Sequence, residues 1–354
     1  MSGLDPGAHL RRRRWWWLGG VAGVVVVALV VVLVVADRPS SSGPPSSPLP
    51  LRPVAEVALP GDSSRFDYAS LDSDLGLLFI AHLGASEIIE VDIRTHTVVR
   101  TIPNVSQVHG VLVVAALHRV FATATGSNQM VSLDEGTGAE LGRSATGNFP
   151  DGLAYDPRRG TIWTTNETGG TETVIDAATG AVRGTVAVAP EVGNVVHDPT
   201  ADQMLVAAQG HNELAAIDPT TLTVTRRLAL PRCQADHGLA LDPVARLAFL
   251  ACEGNATLLT VDLGSWQVTD TAPVGQNPDV LAYDQGAQRL YVAAESGTVT
   301  VLDLRDRHLR LAGSDHLADG AHVVALNPAT HHSYFPVPAG TNGHPTLLER
   351  EPTT

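Results

Sequence analysis

Carboxylates and imidazoles recur along this chain at a nearly constant interval. One column reads Asp67, His109, Asp151, Gly193, His237, Asp279 and His322, with steps of 42, 42, 42, 44, 42 and 43 residues. A second acid- and imidazole-bearing set follows at His82, Glu167, His211, Glu253 and Glu295. Carboxylate oxygens favour hard cations such as Ca²⁺ or Mg²⁺, and imidazole favours zinc-like ions. Histidine beside a carboxylate also suits proton transfer. The ligand-site candidates are therefore Asp67, His82, His109, Asp151, Glu167, His237, Glu253, Asp279, Glu295 and His322. A subset of His109, Asp151, His237, Asp279 and His322 would hold a divalent metal ion. The plainer reading is that these residues cap turns and recur because the repeat recurs.

The elements that position them form a repeat. From Val54 onward each unit carries short Val/Thr-rich strands separated by turn residues, as in Thr161–Thr165 followed by Thr173–Asp176. A parallel column, Asp92, Asp134, Asp176, Asp218, Asp262 and Asp303, drifts with the first. Aspartate before a tight turn accepts hydrogen bonds from its own backbone, so this column reads as structural. A period of about 40–50 residues with four strands per unit is that of propeller blades. Turn signals recur too often for helical repeats. The seventh unit ends after three strands, and Val54–Leu59 is an orphan strand before the first. Pairing the two would close the ring and protect the blade edges. The expected fold is all-β, a seven-bladed β-propeller over 54–354, preceded by one transmembrane helix. Its first strands would line a channel, with both chemical columns opening on one face.

The N-terminus reads as an address. Arg11–Arg14 form a basic cytoplasmic tail over 1–14, and Trp15–Ala36 is an unbroken run of apolar residues and glycine. About 20 such residues cross the hydrocarbon core. The basic flank retains the N-terminus inside, making 15–36 a signal anchor and exporting the rest. Cleavage after Val34-Val35-Ala36 and twin-arginine export through Arg13-Arg14 are alternative readings. No cysteine follows the run, which disfavours a lipoprotein. Residues 37–53, rich in Ser and Pro, read as an extended tether. These features place the chain in the cell membrane as a single-pass protein, with the propeller on the extracytoplasmic side.

From residue 37 onward nineteen arginines face 36 acidic residues, a formal charge of −17. That charge repels nucleic acid and favours cations or basic partners. The chain has no lysine, which excludes Schiff-base chemistry. Cys233 and Cys252 are the only cysteines. Pairing through the Asp242-Pro243 turn brings Cys252 opposite about Asp236, within reach of Cys233, and export permits a disulfide.

Several stretches carry a family resemblance: Arg289-Leu290-Tyr291-Val292-Ala293-Ala294, Val299–Asp303, Glu90–Ile93 with Thr97–Ile102, and Val174–Asp176 with Thr179–Val182. They resemble the YVTN or YncE-like β-propeller repeats, over about residues 54–350. The resemblance implies seven blades and extracytoplasmic placement. Pro150-Asp151-Gly152-Leu153 and Trp163–Glu167 are similar to a virginiamycin B lyase repeat. Likeness to metal-holding gluconolactonase-type propellers would cast Glu167, Asn194 and Asp236 as ligands. No Gly-x-Ser-x-Gly elbow, P-loop or His-Glu-x-x-His is found. The leading expectation is a noncatalytic scaffold binding an extracytoplasmic protein or small ligand. The alternatives are a metal-dependent lyase or lactonase at the channel mouth, and a structural envelope protein.

Overall fold

A computed structural model describes residues 43–353. The expected membrane helix over 15–36 lies outside them, and among the described residues no helix is long and apolar enough to cross a membrane. Among the described residues twenty-eight strands, β1–β28, form seven four-stranded antiparallel sheets. The first strands of the first six blades are β2 (Ala69–Asp72), β6 (Val108–Val114), β10 (Pro150–Asp156), β14 (Val195–Asp198), β18 (Asp236–Asp242) and β22 (Pro278–Asp284). In each of these blades sequence order equals spatial order.

The seventh blade closes the ring as expected. Its own strands are β26 (Ala325–Leu326), β27 (Ser333–Val337) and β28 (Thr346–Pro352), and β1 (Leu51–Ala58) supplies the fourth. Leu51 lies opposite Pro352 and Ala58 opposite Thr346. β1 starts three residues before the expected Val54. The chain before it is also engaged: Ser47 exchanges backbone hydrogen bonds of 2.8 and 3.0 Å with Ser314 in blade six. Gly313 makes room for this passage, since a Cβ there would lie 2.3 Å from the Pro48 carbonyl oxygen. The Ser/Pro-rich segment is therefore held against the propeller from Ser46, whose hydroxyl donates to Asp315, rather than free to Pro53.

The core is seven apolar seams between neighbouring blades. Leu205, Leu214 and Leu230 of blade four pack against Leu239, Leu250 and Leu259 of blade five. Across the closure, Val57, Tyr334 and Leu347 meet Phe66, Leu78 and Ile80. The strands are Val/Ile/Leu-rich because both faces of a blade are covered.

Five of the six expected turn aspartates behave as turn formers. Thr137 N–H donates to Asp134 at 2.9 Å and Thr179 N–H to Asp176 at 2.8 Å, with the same pattern at Asp92, Asp218 and Asp262. Asp303 departs: it accepts from Arg289 Nε at 2.8 Å. The hairpin beyond it is a two-residue turn with Asp306 and Arg307 both at positive φ, 51° and 68°, so no backbone amide returns to Asp303.

Cys233 and Cys252 are disulfide-bonded, with Cα atoms 5.3 Å apart, and Cys252 lies opposite Asp236 as the register required. The bond ties the lead-in of blade five to its second strand. Cys233→Ser, or reduction, is expected to lower unfolding free energy by about 2–4 kcal/mol, read from urea denaturation of the propeller domain.

Candidate functional site

The first-column side chains reach the axis through a repeated irregularity. In β6, β10, β18 and β22 the pairing slips just after the first residue, between Val108 and Val111, Pro150 and Leu153, Asp236 and Leu239, and Pro278 and Leu281. His109, Asp151, His237 and Asp279 sit inside these bulges, and a bulge re-aims a side chain. Neighbouring lead-ins pack backbone to backbone. A Cβ on Gly110 would lie 2.3 Å from the Asp151 carbonyl oxygen, and one on Gly238 would lie 2.1 Å from that of Asp279. At Gly193 a Cβ would lie 2.6 Å from His237 Cα, so blade four offers the next residue, Asn194, instead.

The result is a cup of about 150 Å³ at one mouth of the channel. It is lined by Asp67, His109, Asp151, Glu167, His237, Glu253, Asp279 and Glu295, joined by Arg65, Tyr68 and Phe149, which the column analysis did not single out. The Tyr68 ring crosses the axis and forms the floor. Its hydroxyl donates to Asn194 Oδ1 at 2.7 Å, with Asp151 Oδ2 and His237 Nε2 each 3.4 Å away. Below it a second chamber of about 290 Å³ is walled by first-strand residues such as Leu71, Leu153, Leu239 and Leu326.

Two candidates fall elsewhere. His82 is fully buried, stacked on Phe66 at 4.4 Å, with Ser64 Oγ 3.1 Å from Nε2 and Glu87 3.3 Å from Nδ1. Glu167, Glu253 and Glu295 each lie sixteen residues after their column member, and the blade-one equivalent is Leu83, not His82. A one-residue offset on a strand turns the side chain to the opposite face. His211, likewise off this register, is half exposed beside Glu213 at 3.8 Å. The corresponding blade-four residue is Gln209, whose Oε1 lies 3.1 Å from His237 Nδ1. His322 is buried behind the rim, bonded through Nε2 to the Phe66 carbonyl at 3.0 Å. Asp236 is fully buried and outside the cup lining, so it does not join Glu167 and Asn194 in a shared ligand set.

The electrostatics are those of a site short of positive charge. Burial opposes the His237 cation, but Glu253, Asp151, Asp279 and Glu167 outweigh it and push the imidazole up to about 9. Burial, then Asp151, raises Glu167 to about 7. Burial also raises Glu253, Asp67 and, further, Asp279. Because Nδ1–H of His237 donates to Gln209, Nε2 faces the cup, 3.6 Å from Asp151 Oδ2 and 3.7 Å from Asp279 Oδ1. Such gaps are too long for hydrogen bonds. They suit two ligands of one cation, whose donor atoms stand about 3–4 Å apart at the usual bond lengths. His237, Glu253 and Asp279 offer ligand atoms within 4.8 Å of one another, and so do Asp67, Asp279 and His322.

No family model matches the sequence and no curated protein matches it. Solved structures do: hydrazine synthase of Kuenenia stuttgartiensis at 16% identity and TM-score 0.67, covering 76% of this chain and 92% of that one. A streptogramin B lyase structure matches at 12% identity and TM-score 0.70, covering 85% and 97%. At such identities the likeness is one of fold, and it agrees with the seven blades.

His237 and Glu167 carry raised folded pKa values, about 9 and 7 against 6.5 and 4.5. Asp236, buried with no well-formed hydrogen bond to its oxygens, is raised by burial to about 8 against 3.8. All three make the folded state hold more protons than the unfolded one. Their stabilising effect is complete below each unfolded value and is lost as pH rises through the folded value. Urea unfolding is therefore expected to show falling stability from pH 5 to pH 9. Asp236→Asn should flatten that slope, its gain over wild type being at least about 1 kcal/mol larger at pH 9 than at pH 5.

Proposed function

We propose that this protein is a membrane-anchored extracytoplasmic propeller that acts as a noncatalytic binding module, capturing a small cationic ligand in its mouth cup. The apolar run at 15–36 and its arginine flank support the anchor. The resemblance to YVTN-type repeats supports the placement. One observation carries the ligand class: the cup holds six carboxylates, and they hold His237 charged well beyond neutral pH. Beside Arg65, a proton on His237 offsets those carboxylates in the ligand-free state. A bound cation replaces that proton.

A second reading is a metal-dependent lyase or lactonase at the same mouth. It is favoured by the His237, Glu253 and Asp279 set, with Gln209 fixing the His237 tautomer as a second shell of ligands does. A metal bound there would polarise a substrate carbonyl or ester oxygen. His237, Glu253 and Asp279 would hold it, and Glu167, pushed up to about 7, would hold or release a proton near neutral pH. The streptogramin B lyase likeness supplies a substrate to try.

Titration calorimetry of the exported domain at pH 7 with CaCl₂, MgCl₂, ZnCl₂ and propylammonium chloride separates the readings. Cation binding should release protons, seen as heats that change with buffer ionisation enthalpy. His237→Ala and Asp279→Asn should each weaken binding at least tenfold. No binding of any of these cations removes the cation reading. Metal-dependent turnover of streptogramin B, lost in Glu167→Gln, would move the conclusion to the lyase.

A further inference from the structure

One cation already stands in the cup, and it belongs to the chain itself. Arg65 lies on the link from β1 to the first blade, with its side chain 42% exposed. Its guanidinium meets three carboxylates from two blades: Glu295 closely, and Asp67 and Asp279 each at 3.5 Å. Charge-assisted hydrogen bonds of this kind are normally about 2.7–2.9 Å. Two of the three contacts are thus loose. Arg65 fills this corner of the cup without saturating it.

An independent observation comes from blade seven. The His322 side chain is only 2% exposed. Nε2–H donates to the Phe66 carbonyl, which leaves Nδ1 as a lone pair. Nδ1 has no hydrogen-bond partner and lies 3.8 Å from Glu295 Oε2. Two acceptors therefore face each other across a gap that holds no donor. A multidentate cationic donor satisfies both, and Asp67, Asp279 and His322 converge on the same corner.

We propose that Arg65 is a displaceable internal pseudo-ligand. The ligand is then a guanidinium or primary ammonium compound that replaces it between Asp67, Asp279 and Glu295 and donates to His322 Nδ1. This rests on the cation-binding reading of the cup. It adds that the empty protein is self-occluded and that the incoming group resembles the one it displaces. Displacement costs little structure, because Arg65 sits on a link outside the blades and already faces solvent on one side.

The test measures propylguanidinium binding to the exported domain by calorimetry, for wild type, Arg65→Gln and Arg65→Lys. Arg65→Gln is expected to bind at least tenfold more tightly and Arg65→Lys to fall between. The gain should persist in 1 M NaCl, where the Debye length of about 3 Å removes a merely long-range charge effect. Equal or weaker binding by Arg65→Gln, or a gain that vanishes in high salt, overturns the displacement while leaving the cation site standing. If neither wild type nor Arg65→Gln binds propylguanidinium or the cations named above, the cation reading falls and the displacement with it. Thermal melts confirm that the variants are folded.

Discussion

Seven first strands converge on one axis, and their lead-ins are close enough to touch. Gly110, Gly193 and Gly238 mark where the approach leaves no room for a Cβ. That crowding displaces the first ladder pairs, creates the bulges and turns His109, Asp151, His237 and Asp279 toward the mouth. The chemistry of the cup is thus a by-product of how tightly the blades meet. Ring closure by β1 keeps them there. With Leu51–Ala58 removed, the last blade would present the open edge of β28 and the seam packed around Val57 would lose its outer wall.

The architecture was legible because a propeller writes the same sentence several times. A column that repeats about every 42 residues reports the blade, and an orphan strand opposite a short last unit reports the closure. The disulfide was legible for a related reason: antiparallel register fixes which residue faces Asp236. Eight of the proposed ligand-site residues line the cup. His82 did not follow, and the sequence held the signal that would have excluded it. Counting sixteen residues from the first column finds Glu167, Glu253 and Glu295, and it also finds Gln209, which holds His237.

Other parts could not be read from the chain. Arg65 and Tyr68 are where the first blade departs from the repeat: Tyr68 stands one residue after the column, where Gly110, Gly152, Asn194 and Gly238 stand in other blades, and Arg65 stands two before it, in the register of Gln107 and Phe149. Their partners are far away in sequence: Tyr68 meets Asn194 on the far side of the axis. Asp303 looked like its five counterparts because the aspartate recurs while the turn beyond it does not. A repeat predicts what each blade shares, and function here collects at the positions where blades differ.

Tyr68 decides what kind of vessel this is. A propeller channel is open at both ends by topology, but a phenol tied to Asn194 divides this one. Tyr68 is the side chain that both chambers share, so a group held in the cup lies against it. Rotating the phenol off Asn194 would join the two spaces, and that one hydrogen bond thus sets how deep into the channel a bound group can reach.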